Sequence, residues 1–187
     1  GPEIAVASTK AYSTQMMILY LLAIDMAYKF NKITKEQYEH DIDSLYNLKE
    51  KVEKVLEHSE KVEKVAAKIL NQQSIFYLGR GLDYMIAVEG ALKSKEISYI
   101  HSEAFASGEL KHGTIALIDE GVPVVINVTQ SDLFDKSVSN IKEVVARGAY
   151  VIAVAKEGNT LVEEVADEVF YIPAVEDEYT GFLSIII

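Results

Sequence analysis

Ser74-Ile75-Phe76-Tyr77-Leu78-Gly79-Arg80-Gly81 decides how the rest of the chain is read. A short apolar run ends in a glycine-flanked turn, and a helical pattern follows over about 83–98. The same grammar recurs downstream. Val122–Val128 precedes a helical stretch at 133–147, and Ala149–Ala155 precedes one at 160–167, which leads to Val169–Ile172. Tyr99–Phe105 reads as a fifth, weaker strand. Near-continuous apolar strands alternating with helices indicate a parallel sheet covered on both faces. The expected fold class is therefore α/β, a three-layer α/β/α domain. Gly148 stands just past a helix end, where a left-handed cap is wanted. Thr160-Leu161-Val162-Glu163 has the form of a capping box.

Upstream of Asn71 the period is helical. From Ser8 to about Asn31, Met16, Leu19, Ala23, Met26 and Ala27 fall near helical spacing, with Ser8 or Thr9 as the cap. Thr34-Lys35-Glu36-Gln37 is a second capping-box sequence. The helix it opens carries Tyr38, Ile42, Leu45, Leu48, Val52 and Val55. A break near His58-Ser59 leads to the stretch Val62, Val65, Ala66, Ile69, whose outer face of Lys and Glu reads as solvated surface. The opening Gly1-Pro2 and the apolar ending Leu183–Ile187 predict a piece of a longer protein.

Composition narrows the function classes. The chain has 187 residues, 49% apolar and 25% charged, enough to bury a core. Its 18 basic and 29 acidic residues give a net charge of −11, which disfavours nucleic acid and anionic membranes as partners. Cysteine is absent, so disulfides, Cys-based metal sites and a Cys nucleophile are excluded for this chain. His40, His58, His101 and His112 include no His-x-x-x-His pair, and no metal is expected. The longest apolar run, Met16–Ile24, is well short of the roughly 20 residues of a membrane span.

Three segments could carry chemistry. Arg80, in the turn after the first strand, either meets a phosphate or carboxylate or is a surface residue of a strand-to-helix turn. Glu89, Lys93 and Glu96 share one helix face. They form either a solvent-exposed salt-bridge row or a carboxylate kept ionised by an ammonium that also balances developing negative charge. His112, between glycines in Ser107-Gly108-Glu109-Leu110-Lys111-His112-Gly113, is either an ordinary loop histidine or a group that passes a proton near neutral pH. Thr129 and Ser131 precede another helix, where simple capping is the expectation because Asp132 would repel a phosphate.

On these residues the chain closely resembles the glucosamine-6-phosphate synthase family (glutamine–fructose-6-phosphate aminotransferase, isomerizing). The resemblance is carried by Glu3-Ile4-Ala5-Val6-Ala7-Ser8-Thr9-Lys10, Leu78-Gly79-Arg80-Gly81, Glu89-Gly90-Ala91-Leu92-Lys93, Lys95-Glu96-Ile97-Ser98-Tyr99-Ile100-His101 and Gly108-Glu109-Leu110-Lys111-His112-Gly113. It runs in order along the whole chain. It implies a sugar-isomerase (SIS) fold, with residues 1–58 as the end of a first SIS domain plus linking helices. Residues 59–187 would then be a second SIS domain, truncated at its C-terminus. The family's glutaminase domain, the phosphate-holding loop of its first SIS domain and its C-terminal Schiff-base Lys would lie outside this chain, which alone is expected to be inactive.

The resemblance also implies roles. Glu96 would move a proton between C1 and C2 of open-chain fructose 6-phosphate on the way to glucosamine 6-phosphate. Lys93 would steady the enediolate-like charge. His112 would assist ring opening from the partner subunit of a homodimer, and Glu3, Val6 and Ser8 would line the sugar. No cofactor is implied, and the expected location is the cytoplasm. Thr114 departs from the family's pattern, where Pro is expected after Lys-His-Gly. Two other classes stay open: a related SIS-domain sugar-phosphate deglycase or isomerase, and a non-catalytic SIS sugar-phosphate-binding regulator.

Overall fold

The computed structural model describes Ala7, Ser8 and residues 10–187. Three helices come first: α1 (Lys10–Lys29), α2 (Lys35–Leu56) and α3 (Ser59–Ile69). The alternating part follows: β1 (Ser74–Gly79), α4 (Leu82–Ser98), β2 (His101–Ala106), β3 (Pro123–Val128), α5 (Phe134–Val145), β4 (Tyr150–Lys156), β5 (Glu168–Ile172) and α6 (Thr180–Ser184). The five strands form one sheet in the order β2-β1-β3-β4-β5, with every pairing parallel. The weak fifth strand is thus real and pairs with β1 from Ser74↔His101 to Gly79↔Ala106.

Alternation along the strands sorts side chains onto the two faces. Phe76, Leu78, Val124, Ile126, Val151 and Ala153 pack with Ile141 and Val144 of α5 and with Leu110, Ile118 and Val162 of the connections. On the other face Ile152, Val154, Phe170 and Ile172 pack with Ile24, Leu45, Leu48, Val55, Val65 and Phe182. Helices α1, α2, α3 and α6 therefore build one layer, and α5 the opposite one. Helix α4 lies on the Tyr77 side, where Gly90 lets it approach: a Cβ there would stand 3.3 Å from the Tyr77 ring.

The ends of the elements follow local chemistry. Thr34 caps α2, its side chain accepting from the Gln37 amide while the Gln37 side chain accepts the Thr34 amide. Gly148 takes a left-handed φ of 86° after α5. Thr9, one of the two expected caps of α1, lies outside the described residues. The helix expected at 160–167 is instead a short 3₁₀ turn, Thr160–Glu164, with no side-chain cap bond at its start. The cause is downstream: Asp167 Oδ2 accepts the Val151 N–H at 2.7 Å, which draws the chain into β5 before a helix can extend.

Strand β5 is a sheet edge, and side chains from the helical layer cover its free carbonyls. His58 Nε2 meets the Tyr171 carbonyl at 2.9 Å and Lys61 Nζ donates to the Val169 carbonyl at 2.7 Å, while Lys68 Nζ donates to the side-chain Oε1 of Glu168 at 2.6 Å. Helix α1 is apolar nearly all round, and leaves Ile18, Leu19, Leu22 and Met26 exposed. Among the described residues no helix is long and apolar enough to cross a membrane.

Candidate active site

Helix α4 carries the acid–base candidates, and its start is fixed by two features. Gly79 has no room for a side chain, because a Cβ there would overlap the Asp83 carbonyl and the Tyr84 amide. Asp83, in the first turn, is buried under the end of β3. Its Oδ2 accepts the Thr129 N–H at 2.8 Å and, more weakly, the Gln130 N–H at 3.4 Å, and its Oδ1 accepts the Thr129 hydroxyl. Burial pushes the Asp83 carboxyl up against the pull of these donors. The helix closes on Tyr99, left-handed at φ 62°, whose amide donates to the Lys95 carbonyl.

In the second half of α4, Lys93 Nζ donates to Glu96 Oε2 at 2.7 Å and lies 3.5 Å from Glu89 Oε1. The side chains are 17% exposed for Lys93, 18% for Glu89 and 30% for Glu96. Lys93 and Glu89 are partly shielded by the protein, whereas Glu96 lies on the exposed side of the row. The Glu96 hydrogen bond is the main cause holding the Lys93 ammonium above its ordinary pKa, with the Glu89 and Glu96 charges adding to it against desolvation. Lys93 therefore stays charged through neutral pH.

A cleft of about 800 Å³ opens here, between the start of α1, the second half of α2, α4 and α6. Ser8, Tyr12, Glu89, Lys93 and Phe182 are on its wall. The structure thus brings Ser8 and Lys93 to one cleft, while Glu96 is off its wall and bonded to Lys93. Glu3 and Val6 lie outside the described residues.

His112 is elsewhere. It ends a 3₁₀ turn, Ser107–His112, anchored by the fully buried Leu110. Its side chain is 73% exposed, and Nδ1 meets Glu109 Oε2 at 2.6 Å. Glu96 is close to the start of β2 in sequence, whereas His112 follows the end of that strand. Five steps of about 3.3 Å between the first and last of its six residues separate the two ends by about 17 Å. Within one chain, His112 is not brought to Lys93 and Glu96.

Arg80 is held by the protein rather than left as a surface residue of the turn. Its Nε donates to Asn140 Oδ1 at 2.9 Å, and its guanidinium lies under Gly108, tying β1 to α5 and to the turn after β2. Neither Thr129 nor Ser131 caps α5 as expected; no side-chain cap bond forms at its start. Their amides are instead taken by the carboxylates of Asp83 and Asp177. Sequence reasoning missed both acids, which stand 46 residues from their partners with no local pattern to announce them.

A parallel sheet in the order β2-β1-β3-β4-β5, with helices on both faces, is a doubly wound α/β arrangement. The SIS domain profile matches residues 68–187, and the chain belongs to the SIS domain family. It is 56% identical over 185 residues to the glutamine–fructose-6-phosphate aminotransferase [isomerizing] of Clostridium acetobutylicum, covering 99% of this chain and 30% of that protein. It is 45% identical over 187 residues to the protein of the same name from Methanosarcina mazei, covering 100% of this chain and 30% of that protein. The chain thus spans about 30% of the length of these relatives. Among solved structures, the C-terminal domain of glucosamine-fructose-6-phosphate aminotransferase from Francisella tularensis superposes with a TM-score of 0.93 at 38% identity, over 100% of this chain and 52% of that one.

Proposed function

We propose that this chain is part of the isomerase half of a glutamine–fructose-6-phosphate aminotransferase, with fructose 6-phosphate as substrate and glucosamine 6-phosphate as product. Residues 1–58 are the end of a first SIS domain with its linking helices, and residues 59–187 belong to the second. The observation that carries this reading is the Lys93–Glu96 pair, with Lys93 on the wall of a cleft that Ser8 also lines. The full relatives' names supply the substrate, and this chain's residues supply a place for the proton transfer.

Ammonia replaces the C2 carbonyl oxygen of the open-chain ketose, with loss of water. Glu96 then removes a proton from C1, and the electron pair moves into a C1–C2 double bond while the C2=N bond becomes an amine. Lys93 offsets the negative charge that develops along C1–C2. Glu96 returns its proton at C2, and the proton given up by the C1 hydroxyl goes to the nitrogen, leaving an aldehyde at C1 and an amine at C2. C1 is oxidised and C2 reduced within one molecule, so no external oxidant or cofactor enters. A positioned base of this kind contributes roughly 10²–10⁴-fold. Glu3, Val6 and Ser8 line the sugar.

The placement of His112 at the far end of β2 from Glu96 supports a site completed across a homodimer. A symmetric pair of subunits exchanges two such turns. His112 of one subunit opens the sugar ring in the site of the other. The chain on its own then turns over little or no substrate, in keeping with a cytoplasmic enzyme that works as a larger polypeptide. Mixing full-length His112→Ala and Glu96→Gln proteins, each inactive, restores partial activity, since the heterodimer holds one site with both native residues. No recovery after proven subunit exchange rejects the shared site.

A further inference from the structure

The carboxyl end of the sheet holds a second polar centre that the isomerase reading does not use. Asp177 opens a 3₁₀ turn between β5 and α6 and reaches over the ends of β3 and β4. Its Oδ2 accepts the Ser131 N–H at 2.7 Å and its Oδ1 accepts the Ser131 hydroxyl at 2.8 Å. Lys156, the last residue of β4, donates Nζ to the same Oδ1 and to Ser131 Oγ at 2.8 Å. Gln130 holds the strap behind the carboxylate, donating Nε2 to the Asp177 carbonyl and to Thr180 Oγ1, both at 3.1 Å. Burial alone would raise the Asp177 carboxyl, but the bonds from Lys156 and Ser131 outweigh it and hold the group below its ordinary range.

An amide, a hydroxyl and an ammonium converging on two oxygens form the donor set an external oxyanion needs. The place, beyond the carboxyl ends of parallel strands, is where open α/β sheets take ligands. Here a carboxylate of the chain itself fills it. Beside it lies a cleft of about 520 Å³ whose wall includes Ser44, Asn47, Lys51 and Lys156, so the space exceeds what the carboxylate occupies. Lys51 donates to the Ala174 carbonyl at 2.7 Å and brings a second cation to the start of the strap.

We propose that Asp177 is an internal plug: its carboxylate occupies an oxyanion cradle made by Ser131 and Lys156, and latches the strap from Pro173 to Tyr179 across the sheet. Withdrawal of that carboxylate opens the cradle and the adjoining cleft to a phosphate group, whose attraction to Lys156 and Lys51 must exceed its repulsion by the exposed Asp132 beside Ser131. The strap leads directly into α6, whose Phe182 and Leu183 are core residues, so the latch also fixes that helix against the sheet. The plug is independent of the Glu96 chemistry and stands or falls separately from it.

The test is an amide NMR titration of the chain with inorganic phosphate at pH 7 and constant ionic strength. The native chain shows no saturable shift of the Ser131 amide. Asp177→Ala binds phosphate at least roughly tenfold more tightly, the order of one charge-assisted contact set. Adding Lys156→Gln to that variant removes the gain. Asp177→Asn keeps the size of the side chain and preserves folding if the Ala variant does not; it binds phosphate better than the native chain and less well than Asp177→Ala. Equal binding by native and variant chains overturns the plug. No binding by any folded variant overturns the cradle, as does binding by Asp177→Ala that survives loss of Lys156.

Discussion

Replacing Asp83 by Ala isolates the contact that seats α4, and its cost follows from the geometry. Asp83 and Thr129 are 2% and 1% exposed. Loss of the carboxylate leaves the Thr129 amide and hydroxyl without their acceptor, and removes the long bond of the Gln130 amide. Two strongly bonded donors orphaned in a dry site cost about 1–3 kcal/mol each. Relief of a buried charge, whose desolvation raises its pKa, returns part of that. The net expectation is a loss of about 3 kcal/mol, a large share of a typical domain's 5–15 kcal/mol. Asp83→Asn keeps one acceptor and costs less, about 1–2 kcal/mol. Urea unfolding followed by circular dichroism measures both, with an unchanged slope expected. Thr129→Val completes a double-mutant cycle, with a coupling of about 1–2 kcal/mol. A loss below about 0.5 kcal/mol for Asp83→Ala, or strict additivity with Thr129→Val, refutes the reasoning.

Gly79→Ala is expected to destabilise by about 3 kcal/mol or more, because its Cβ would meet backbone that cannot yield; a thermal melt unchanged from the native chain contradicts this. Acid titration separates the carboxylates by sign. Asp177 and Glu168 sit below their ordinary pKa values. Their contribution is complete above the ordinary carboxylate range of about 3.9–4.3 and is lost as pH falls below it, so Glu168→Gln flattens stability against pH there. Asp83 sits above its ordinary value, so between the two values acidification favours the folded state at this site, and Asp83→Asn removes that opposite slope.

The sheet was legible because its strands announce themselves locally. Val122–Val128 and Ala149–Ala155 are apolar enough for burial on both faces, and glycines mark their ends. The Thr34 capping box was equally local. The failure at Thr160 has the opposite character: its pattern is right for a helix, but Asp167 bonds β4 and shortens the segment through tertiary structure. The Lys93–Glu96 pair was visible as spacing, yet spacing alone could not show that Lys93 and Glu89 face a cleft while Glu96 stays exposed. That distinction needed α1, α2 and α6 to wall the cleft. Asp83 with Thr129 and Asp177 with Ser131 and Lys156 join distant parts of the chain, and no period in the sequence relates them.

The proton transfer assigned to Glu96 is tested most directly by the turnover of full-length Glu96→Gln protein, measured as glucosamine 6-phosphate formed from fructose 6-phosphate and glutamine. The substitution keeps the hydrogen-bonding partner of Lys93 and the shape of the cleft while removing the base. Turnover should fall roughly 10²–10⁴-fold with the KM for fructose 6-phosphate changed far less. A Gln variant that isomerises within about threefold of the native rate would show that another group moves the proton.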